Sequence, residues 1–265
     1  MPKISSLLLV MPVVFAVGLS PSYAFDASKV IKGETSSSKI FEFFSNFRKD
    51  GKQEEAVEVL KFAAQNGNSG AQWKLARIYQ TGDGVKPNPL EAFLIFQKIT
   101  SQSFAVVPNT PNWQYRADAF VALGNYYQNG IPNTNIKPDP TQARVMYSTA
   151  AWLYSHPTAQ FELGRMQLNN DGFVGQGNLG IRNLSLAYEK GHVGAEALLG
   201  YSIFEGVLAK RDPVRGLFML GNAKRRASER DLEWINQLYD EAFSIANPDD
   251  RTKAVRQLKN SNSLD

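Results

Sequence analysis

Apolar residues recur every three to four positions along most of the chain from about Lys39 onward. This spacing places them on one face of a helix, and no segment shows the sustained apolar–polar alternation of a half-buried strand. Gly, Asn and Pro interrupt the pattern at intervals, where they favour helix ends and turns. The pattern therefore predicts an all-α protein built from many short amphipathic helices.

Four of the predicted helices share one set of residue types. Counting from an alanine as position 0, each has Leu at position 4 and Ala or Gly at position 5, and the copies begin at Ala71, Ala119, Ala159 and Ala195. A glycine follows at position 11 or 13, where it favours the left-handed conformation that ends a helix. Small residues at positions 0 and 5 let helix backbones approach closely. The copies predict an internal repeat.

A second predicted helix follows each copy. Three of these helices begin at Asn88-Pro89, Asp139-Pro140 and Asp212-Pro213, where a capping side chain precedes a proline at the first helical position. One helix pair cannot bury its apolar face alone, but stacked pairs can. The predicted architecture is therefore an α-solenoid of helix–turn–helix repeats.

The pattern divides the chain into segments. We expect residues 25–38 to form a flexible lead-in, and residues 39–247 to form the solenoid, with about five helix pairs and a closing helix over residues 230–246. Residues 248–265 are expected to form a short helix and a frayed tail. Longer loops are expected at residues 104–116 and 131–138.

The first 24 residues are typical of a secretory signal peptide. Lys3 precedes an apolar run over residues 7–19, and a small-x-small pattern predicts cleavage between Ala24 and Phe25. The run is too short to cross roughly 30 Å of hydrocarbon comfortably, although a retained anchor is the alternative. We expect export to the periplasm and no membrane span in the mature chain.

Composition excludes several kinds of site. The chain has no cysteine and only two histidines, which excludes disulfides, thiolate catalysis and multi-histidine metal sites. A net charge of +4 is too small to indicate nucleic-acid binding. Gly175-x-Gly177-x-x-Gly180 matches a dinucleotide fingerprint, but it follows a predicted helix instead of a strand. We therefore expect no cofactor, no metal, no nucleic-acid partner and no enzymatic activity.

The candidate binding residues lie on one stripe of the first helices, at positions 2, 6 and 9 of each copy. Aromatic residues and Arg, which are enriched at interaction hot spots, are frequent there. The alternative is that the large residues pack between turns. The members of this 2-6-9 stripe are Trp73, Arg77, Gln80, Val121, Asn125, Gln128, Phe161, Arg165, Leu168, Ala197, Tyr201 and Phe204.

Other charged groups have simpler interpretations. The acidic pairs at residues 54–55 and 249–250 lie near predicted helix starts, where negative charge is favoured. The basic run Lys224-Arg225-Arg226 is read as a solvated helix end, with a docking patch for an acidic partner as the alternative. His156 and His192 lie in predicted turns, where a pH-sensing role is the less favoured alternative.

The repeats resemble a known family. Ala71-Gln72-x-x-Leu75-Ala76-x-x-Tyr79, followed by Gly82-x-Gly84-Val85, resembles the Sel-like branch of the tetratricopeptide repeat superfamily, which implies a right-handed α-solenoid. The whole chain resembles the ExoR-type periplasmic repressors of alphaproteobacteria. That resemblance rests on Ala24-Phe25-Asp26, Glu55-Ala56-Val57-Glu58, Gly82-Asp83-Gly84-Val85, Gly130-Ile131-Pro132 and Glu241-Ala242-Phe243-Ser244.

The resemblance implies regulation by binding. Members of that family bind the periplasmic part of a membrane sensor histidine kinase and hold it inactive. A periplasmic protease degrades the repressor, and the released kinase then controls exopolysaccharide, motility and host-adaptation genes. Exposed loops at residues 103–116 and 169–180 are the expected cleavage targets. A polysaccharide- or peptidoglycan-binding envelope factor and a generic periplasmic scaffold stay open as alternatives.

Overall fold

The computed structural model describes residues 25–32, 35–102, 107–169, 177–207 and 210–261. Within them the chain is all-helical and has no strand. A 3-10 turn, η1, covers Ala27–Lys29, and the α-helices are α1 Ser37–Lys49, α2 Gln53–Gln65, α3 Ser69–Thr81, α4 Pro89–Ser101, α5 Pro111–Asn129, α6 Pro140–Leu153, α7 Pro157–Leu168, α8 Gly177–Glu189, α9 Val193–Glu205, α10 Pro213–Arg226, α11 Glu229–Ile245 and α12 Pro248–Ser261.

Side-chain caps and prolines set the helix starts. Asn88, Asp139 and Asp212 each accept a hydrogen bond from a backbone N–H three residues on, and a proline occupies the next position. The three predicted starts are therefore confirmed. Thr110 and Pro111 start α5 in the same way. The loop expected over residues 104–116 therefore ends at residue 110. Thr110 caps α5, whereas the sequence pattern recognised only Asn and Asp as capping residues.

The helices pack as five successive pairs, α1 with α2 through α9 with α10. The alanines at position 0 of all four copies have no exposed surface. Gly200 and Gly216 bring α9 and α10 together, since a Cβ on Gly216 would lie 2.7 Å from the Gly200 carbonyl oxygen. Gly164 and Gly180 make the matching approach between α7 and α8. Small residues therefore set the separation within these pairs.

Buried polar side chains at position 1 of the copies tie helices together. Gln72 donates to the Ala64 carbonyl of the preceding pair at 3.0 Å. Glu196 accepts from Asn222 at 2.6 Å and pairs with Arg226 at 3.0 Å, although its own side chain is 2% exposed. A buried carboxylate requires such partners, because desolvation without them is costly. These contacts fix the register of the stacked helices.

Apolar clusters run continuously along the stack. The first draws residues from α1, α2 and α3, and the second draws from α3, α4, α5 and the turn that follows. The last combines α9 and α10 with α11 and α12. Each cluster combines helices of one pair with helices outside that pair, so no repeat carries a core of its own. This is the arrangement of an α-solenoid.

The start of the described chain is more ordered than the expected flexible lead-in. Ala27 and Ile31 are buried, and the Phe25 ring meets the Phe47 ring edge-on with centroids 5.0 Å apart. Asp26 accepts a hydrogen bond from the Ser28 backbone N–H. These apolar residues cover the open end of the first helix pair, which explains their order although they show no helical period. α1 then begins at Ser37.

The C-terminal end also differs from expectation. α12 extends over 14 residues and packs against α10, where the pattern indicated only a short helix. Leu258 reaches Gly221 of α10, since a Cβ at that glycine would lie 2.5 Å from the leucine Cδ1. Residues 262–265 of the expected frayed tail, and the predicted signal peptide, lie outside the described residues.

The glycine contact between α9 and α10 generates a prediction. Gly216→Ala places a methyl group 2.6 Å from the Phe204 Cβ, so the helices must separate. We expect a loss of roughly 1–3 kcal/mol in the free energy of unfolding, the usual cost of overpacking. Urea denaturation followed by circular dichroism measures this loss. Gln237→Ala at an exposed position of α11 is the control, and equal stability of the two variants would contradict the role of the contact.

Candidate functional site

A groove lies on the face formed by the first helices. Its walls come from α3, α5 and the start of α7, and Arg230 of α11 lies at its edge. The groove has a volume of about 290 Å³. We call it the first-helix groove, and its lining residues are Trp73, Arg77, Gln80, Asp118, Val121, Ala122, Asn125, His156, Thr158 and Arg230.

The N-terminal half of the 2-6-9 stripe converges on this groove. All three members from α3 line it, together with Val121 and Asn125 of α5. Gln128 lies one turn further along α5 and shares a hydrogen-bond partner with Asn125. The repeat register therefore brings the stripe residues of two copies into one surface, although equivalent positions such as Trp73 and Val121 are 48 residues apart in sequence.

The C-terminal half of the stripe is covered by α11. Ala197, Tyr201 and Phe204 of α9 belong to a cluster with Ile235 and Ala242 of α11. Phe204 is fully buried, so the expectation that it faces a partner is wrong. The Tyr201 hydroxyl donates to the Glu241 carboxylate at 2.9 Å. The closing helix therefore occupies this half of the stripe.

The third copy is covered in part. Phe161 is 8% exposed and stacks between His192, at 4.4 Å between centroids, and Trp234 of α11, at 6.3 Å. The expectation that Phe161 faces a partner is therefore also wrong. Arg165 donates to Glu162 from Nε at 3.0 Å and from Nη2 at 2.8 Å, and it does not line the first-helix groove.

A buried tyrosine, Tyr147, orients two polar side chains of α5 beside the first-helix groove. The Tyr147 hydroxyl of α6 lies 2.7 Å from the Asn125 Oδ1 and 2.9 Å from the Gln128 Oε1. Burial raises the pKa of Tyr147 well above its usual value, so the hydroxyl stays a protonated donor. On α3, which faces α5 across the groove, Arg77 donates to Gln80 at 2.7 Å. The polar side chains of the groove are therefore oriented before any ligand arrives.

Five groove residues lie outside the 2-6-9 stripe, namely Asp118, Ala122, His156, Thr158 and Arg230. The His156 Nε2 lies 3.0 Å from the Asp118 Oδ1, which links the start of α7 to α5. Arg230 enters from the first turn of α11. Asp118 directly precedes position 0 of its copy, and His156 directly precedes a helix-starting proline. Nothing in the local sequence indicates that these two positions meet, since Asp118 lies in the interior of α5 and His156 is the N-cap residue of α7.

A second groove adjoins the first at Trp73. This N-terminal groove has a volume of about 560 Å³ and lies between α1 and α3. The Trp73 ring packs against Tyr115 with centroids 5.3 Å apart. Together the two grooves extend from α1 to α7. The residues that line the N-terminal groove are Phe41, Phe44, Ser45, Arg48, Lys49, Trp73 and Lys74.

The remaining candidate groups have structural roles. Glu54 and Glu55, like Asp249 and Asp250, lie in first turns of helices, as expected. Gly177 and Gly180 of the dinucleotide fingerprint lie in α8, while Gly175 lies outside the described residues. The described ranges hold no group of three acidic or histidine side chains that could bind a metal ion, and no helix in them is long and apolar enough to cross a membrane.

The basic run near the end of α10 makes contacts with other residues of the same chain. Arg226 pairs with Glu196 at 3.0 Å, and Lys224 lies 3.4 Å from Asp240 and over the ring of Tyr239. Arg225 donates to Asn222 of its own helix at 2.7 Å. The run therefore stabilises the C-terminal end of the solenoid.

Comparisons with known proteins agree with this fold. The model of the Sel1 repeat matches residues 69–104, 117–151, 157–192 and 193–226. A Sel1 repeat protein from Oxalobacter formigenes has a similar structure, with a TM-score of 0.60 at 19% identity over 85% of this chain and 88% of the other. A protective antigen of uropathogenic Escherichia coli gives a TM-score of 0.51 at 16% identity over 84% of this chain and 52% of the other. These structures share the fold alone.

Two curated relatives are similar to this chain over most of their length. The exopolysaccharide production negative regulator of Rhizobium meliloti is 35% identical over 249 residues, which cover 92% of this chain and 89% of the relative. The protein of the same name from Rhizobium leguminosarum bv. viciae is 34% identical over 94% of this chain and 91% of the relative. The chain belongs to this family of Sel1-repeat regulators. The resemblance to ExoR-type proteins is thereby confirmed.

One histidine of this Sel1-repeat regulator caps a helix with a partly buried side chain. The His192 Nδ1 accepts from the Ala195 backbone N–H at 3.2 Å and so caps α9, as Asn68 caps α3. Burial lowers the pKa of His192 below its ordinary value of 6.5, with smaller and opposed effects from Asp231 and His156. The neutral form is therefore the form that the folded protein favours.

We predict that the regulator loses stability as the pH falls through about 6.5 and below, because the unfolded chain then gains a proton that the folded chain resists. His192→Asn keeps a capping side chain but does not titrate. We expect the variant to show a smaller decrease in melting temperature between pH 7.5 and pH 5.5 (roughly the range that spans the histidine titration). A decrease as large as that of the original protein would contradict this assignment.

Proposed function

We propose that this chain is a periplasmic negative regulator of exopolysaccharide production that acts by binding. In this proposal it binds the periplasmic domain of a membrane sensor histidine kinase, holds the kinase inactive and carries out no catalysis itself. The names of the two curated relatives support the negative regulatory role. The signal-peptide pattern in residues 1–24 supports export.

The observation that carries the proposal is the open half of the 2-6-9 stripe. Trp73, Arg77 and Asn125 converge on one groove, and Tyr147 fixes the groove floor through Asn125. Aromatic and Arg residues in a preorganised pocket are typical of interaction hot spots.

The closing helix supports the same assignment. α11 packs its apolar side against α9 through Ile235, Trp234 and Ala242, along the C-terminal half of the stripe. The solenoid therefore already accommodates one protein segment on this face. A partner segment that binds the N-terminal half would extend the same mode of packing, in which a groove between repeats receives side chains from another element.

Relief of repression by proteolysis is part of the proposal. The candidate cleavage segments are now residues 103–110 and 169–176, because α5 begins at Pro111 and α8 at Gly177. Residues 103–106 and 170–176 lie outside the described residues. Limited proteolysis with mass spectrometry tests this part, and first cuts within the described helices would contradict it.

The binding proposal predicts a difference between two arginines. Arg77 and Arg165 both occupy position 6 of a first helix, but only Arg77 lines the first-helix groove. We expect Arg77→Ala to weaken binding to the purified kinase domain by roughly tenfold or more, as removal of a hot-spot residue does. We expect Arg165→Ala to change affinity by less than about threefold, within the range of near-neutral interface contacts.

Isothermal titration calorimetry of the mature chain with the kinase domain measures both affinities. Circular dichroism of the two variants controls for loss of structure. Equal affinities of the two variants would contradict the groove as the binding surface. Binding to envelope glycans without binding to the kinase domain would contradict the function itself.

A further inference from the structure

The two adjoining grooves carry an excess of positive charge. Their lining includes five cations and one carboxylate, Asp118. The carboxylate is engaged by His156 at 3.0 Å. The residues of the grooves that carry positive charge are Arg48, Lys49, Lys74, Arg77 and Arg230.

Within the described part of the chain, these cations have little internal compensation. Arg48 pairs with Asp83 at 2.8 Å, and it is the only one of the five in an ion pair there. Arg77 donates to a neutral amide, Gln80, and Lys74 lies over the ring of Phe44. This differs from α10, where Arg226 and Lys224 pair with carboxylates of the same chain. The groove charge is therefore available to a ligand.

The aromatic rings of the grooves are already covered, which bears on the class of ligand. The Phe44 ring has the Lys74 ammonium 5.4 Å and the Arg48 guanidinium 5.6 Å from its centroid. Tyr115 packs against Trp73 and meets Phe41 edge-on. Protein sites for sugars usually add stacking on a free ring face to any ion pairs, whereas the carboxylates of a polypeptide need only the cations. This arrangement favours an acidic polypeptide over an acidic glycan.

We propose that the two grooves together bind an extended acidic segment of the partner protein. Its carboxylates would pair with Lys49, Lys74, Arg77 and Arg230. The length of the combined surface, from α1 to the start of α7, suits an extended segment more than a single side chain. The inference rests on the proposed function only for the identity of the partner, the kinase domain.

The test compares two triple charge reversals with the same change in net charge. The groove variant is Lys49→Glu/Lys74→Glu/Arg77→Glu. The control is Lys86→Glu/Lys137→Glu/Lys253→Glu, which changes three exposed lysines outside both grooves. Each protein is titrated with the purified kinase domain, with a fluorescent poly-L-glutamate peptide and with polygalacturonate, at low and at physiological salt.

We expect the groove variant to bind the kinase domain and the peptide at least roughly tenfold more weakly at low salt, and the control to stay within about threefold, because local charge complementarity determines the difference. Added salt should weaken binding of the original chain more than binding of the groove variant. Lys49→Glu/Arg230→Glu is a second variant, in which neither changed side chain has a described hydrogen bond or ion pair to lose. It should weaken binding in the same direction.

The outcomes separate this inference from the proposed function. Equal weakening by the groove and control variants would overturn the inference, and so would groove-dependent binding of polygalacturonate without binding of the peptide. Undiminished binding of the kinase domain by the groove variant would overturn the inference and leave the proposed function standing. Groove-dependent peptide binding without any binding of the kinase domain would support the acidic-segment site and contradict the proposed function.

Discussion

Close packing between successive helix pairs is the constraint on which this structure depends. The four alanines at position 0 and the glycines of α7, α8, α9 and α10 let the backbones approach, and the larger residues fill the spaces that remain. Every apolar cluster combines helices of one pair with helices outside that pair. A repeat removed from the stack would expose both of its faces, so the repeats stabilise each other in series. A buried polar link, from the Gln72 side chain of α3 to the Ala64 carbonyl of α2, also connects two successive pairs.

The same stacking creates the candidate binding surface. Because the first helices lie side by side, equivalent positions of α3 and α5 converge on one groove. α11 covers the equivalent positions of α9 and reaches Phe161 of α7, so the open surface is limited to the N-terminal half. The closing helix therefore has two effects. It seals the apolar end of the solenoid, and its first turn places Arg230 at the edge of the groove.

Much of the fold could be predicted from local chemistry. The Asn-Pro and Asp-Pro starts, the left-handed Gly82 and Gly206, and the closing helix all depend on neighbours in sequence, and the structure has them as expected. The start of α5 was missed because its cap is a threonine. The order of the lead-in was missed because Phe25 and Ile31 gain burial from helices distant in sequence.

The site was predictable only in part, because some of its residues meet through contacts between helices that are distant in sequence. The repeat register identifies Trp73, Arg77 and Asn125, since equivalent positions of a repeat share a face. It cannot identify Arg230, which belongs to a helix outside the repeats, or the contact between His156 and Asp118, which joins the start of α7 to the interior of α5. It also cannot show that Phe204 is fully buried, because that burial depends on the close approach of α10 at Gly216 and on Arg211, which lies over the Phe204 ring.

Site-specific photocrosslinking tests the central claim most directly. A photoreactive amino acid is introduced at Thr158, which lines the first-helix groove, or at Val145, which is 44% exposed on α6 and lines no described part of either groove. Each protein is then irradiated with the periplasmic domain of the sensor kinase. The account predicts a crosslinked complex from position 158 and little or none from position 145. A crosslink from position 145 alone, or none from either position, would contradict it.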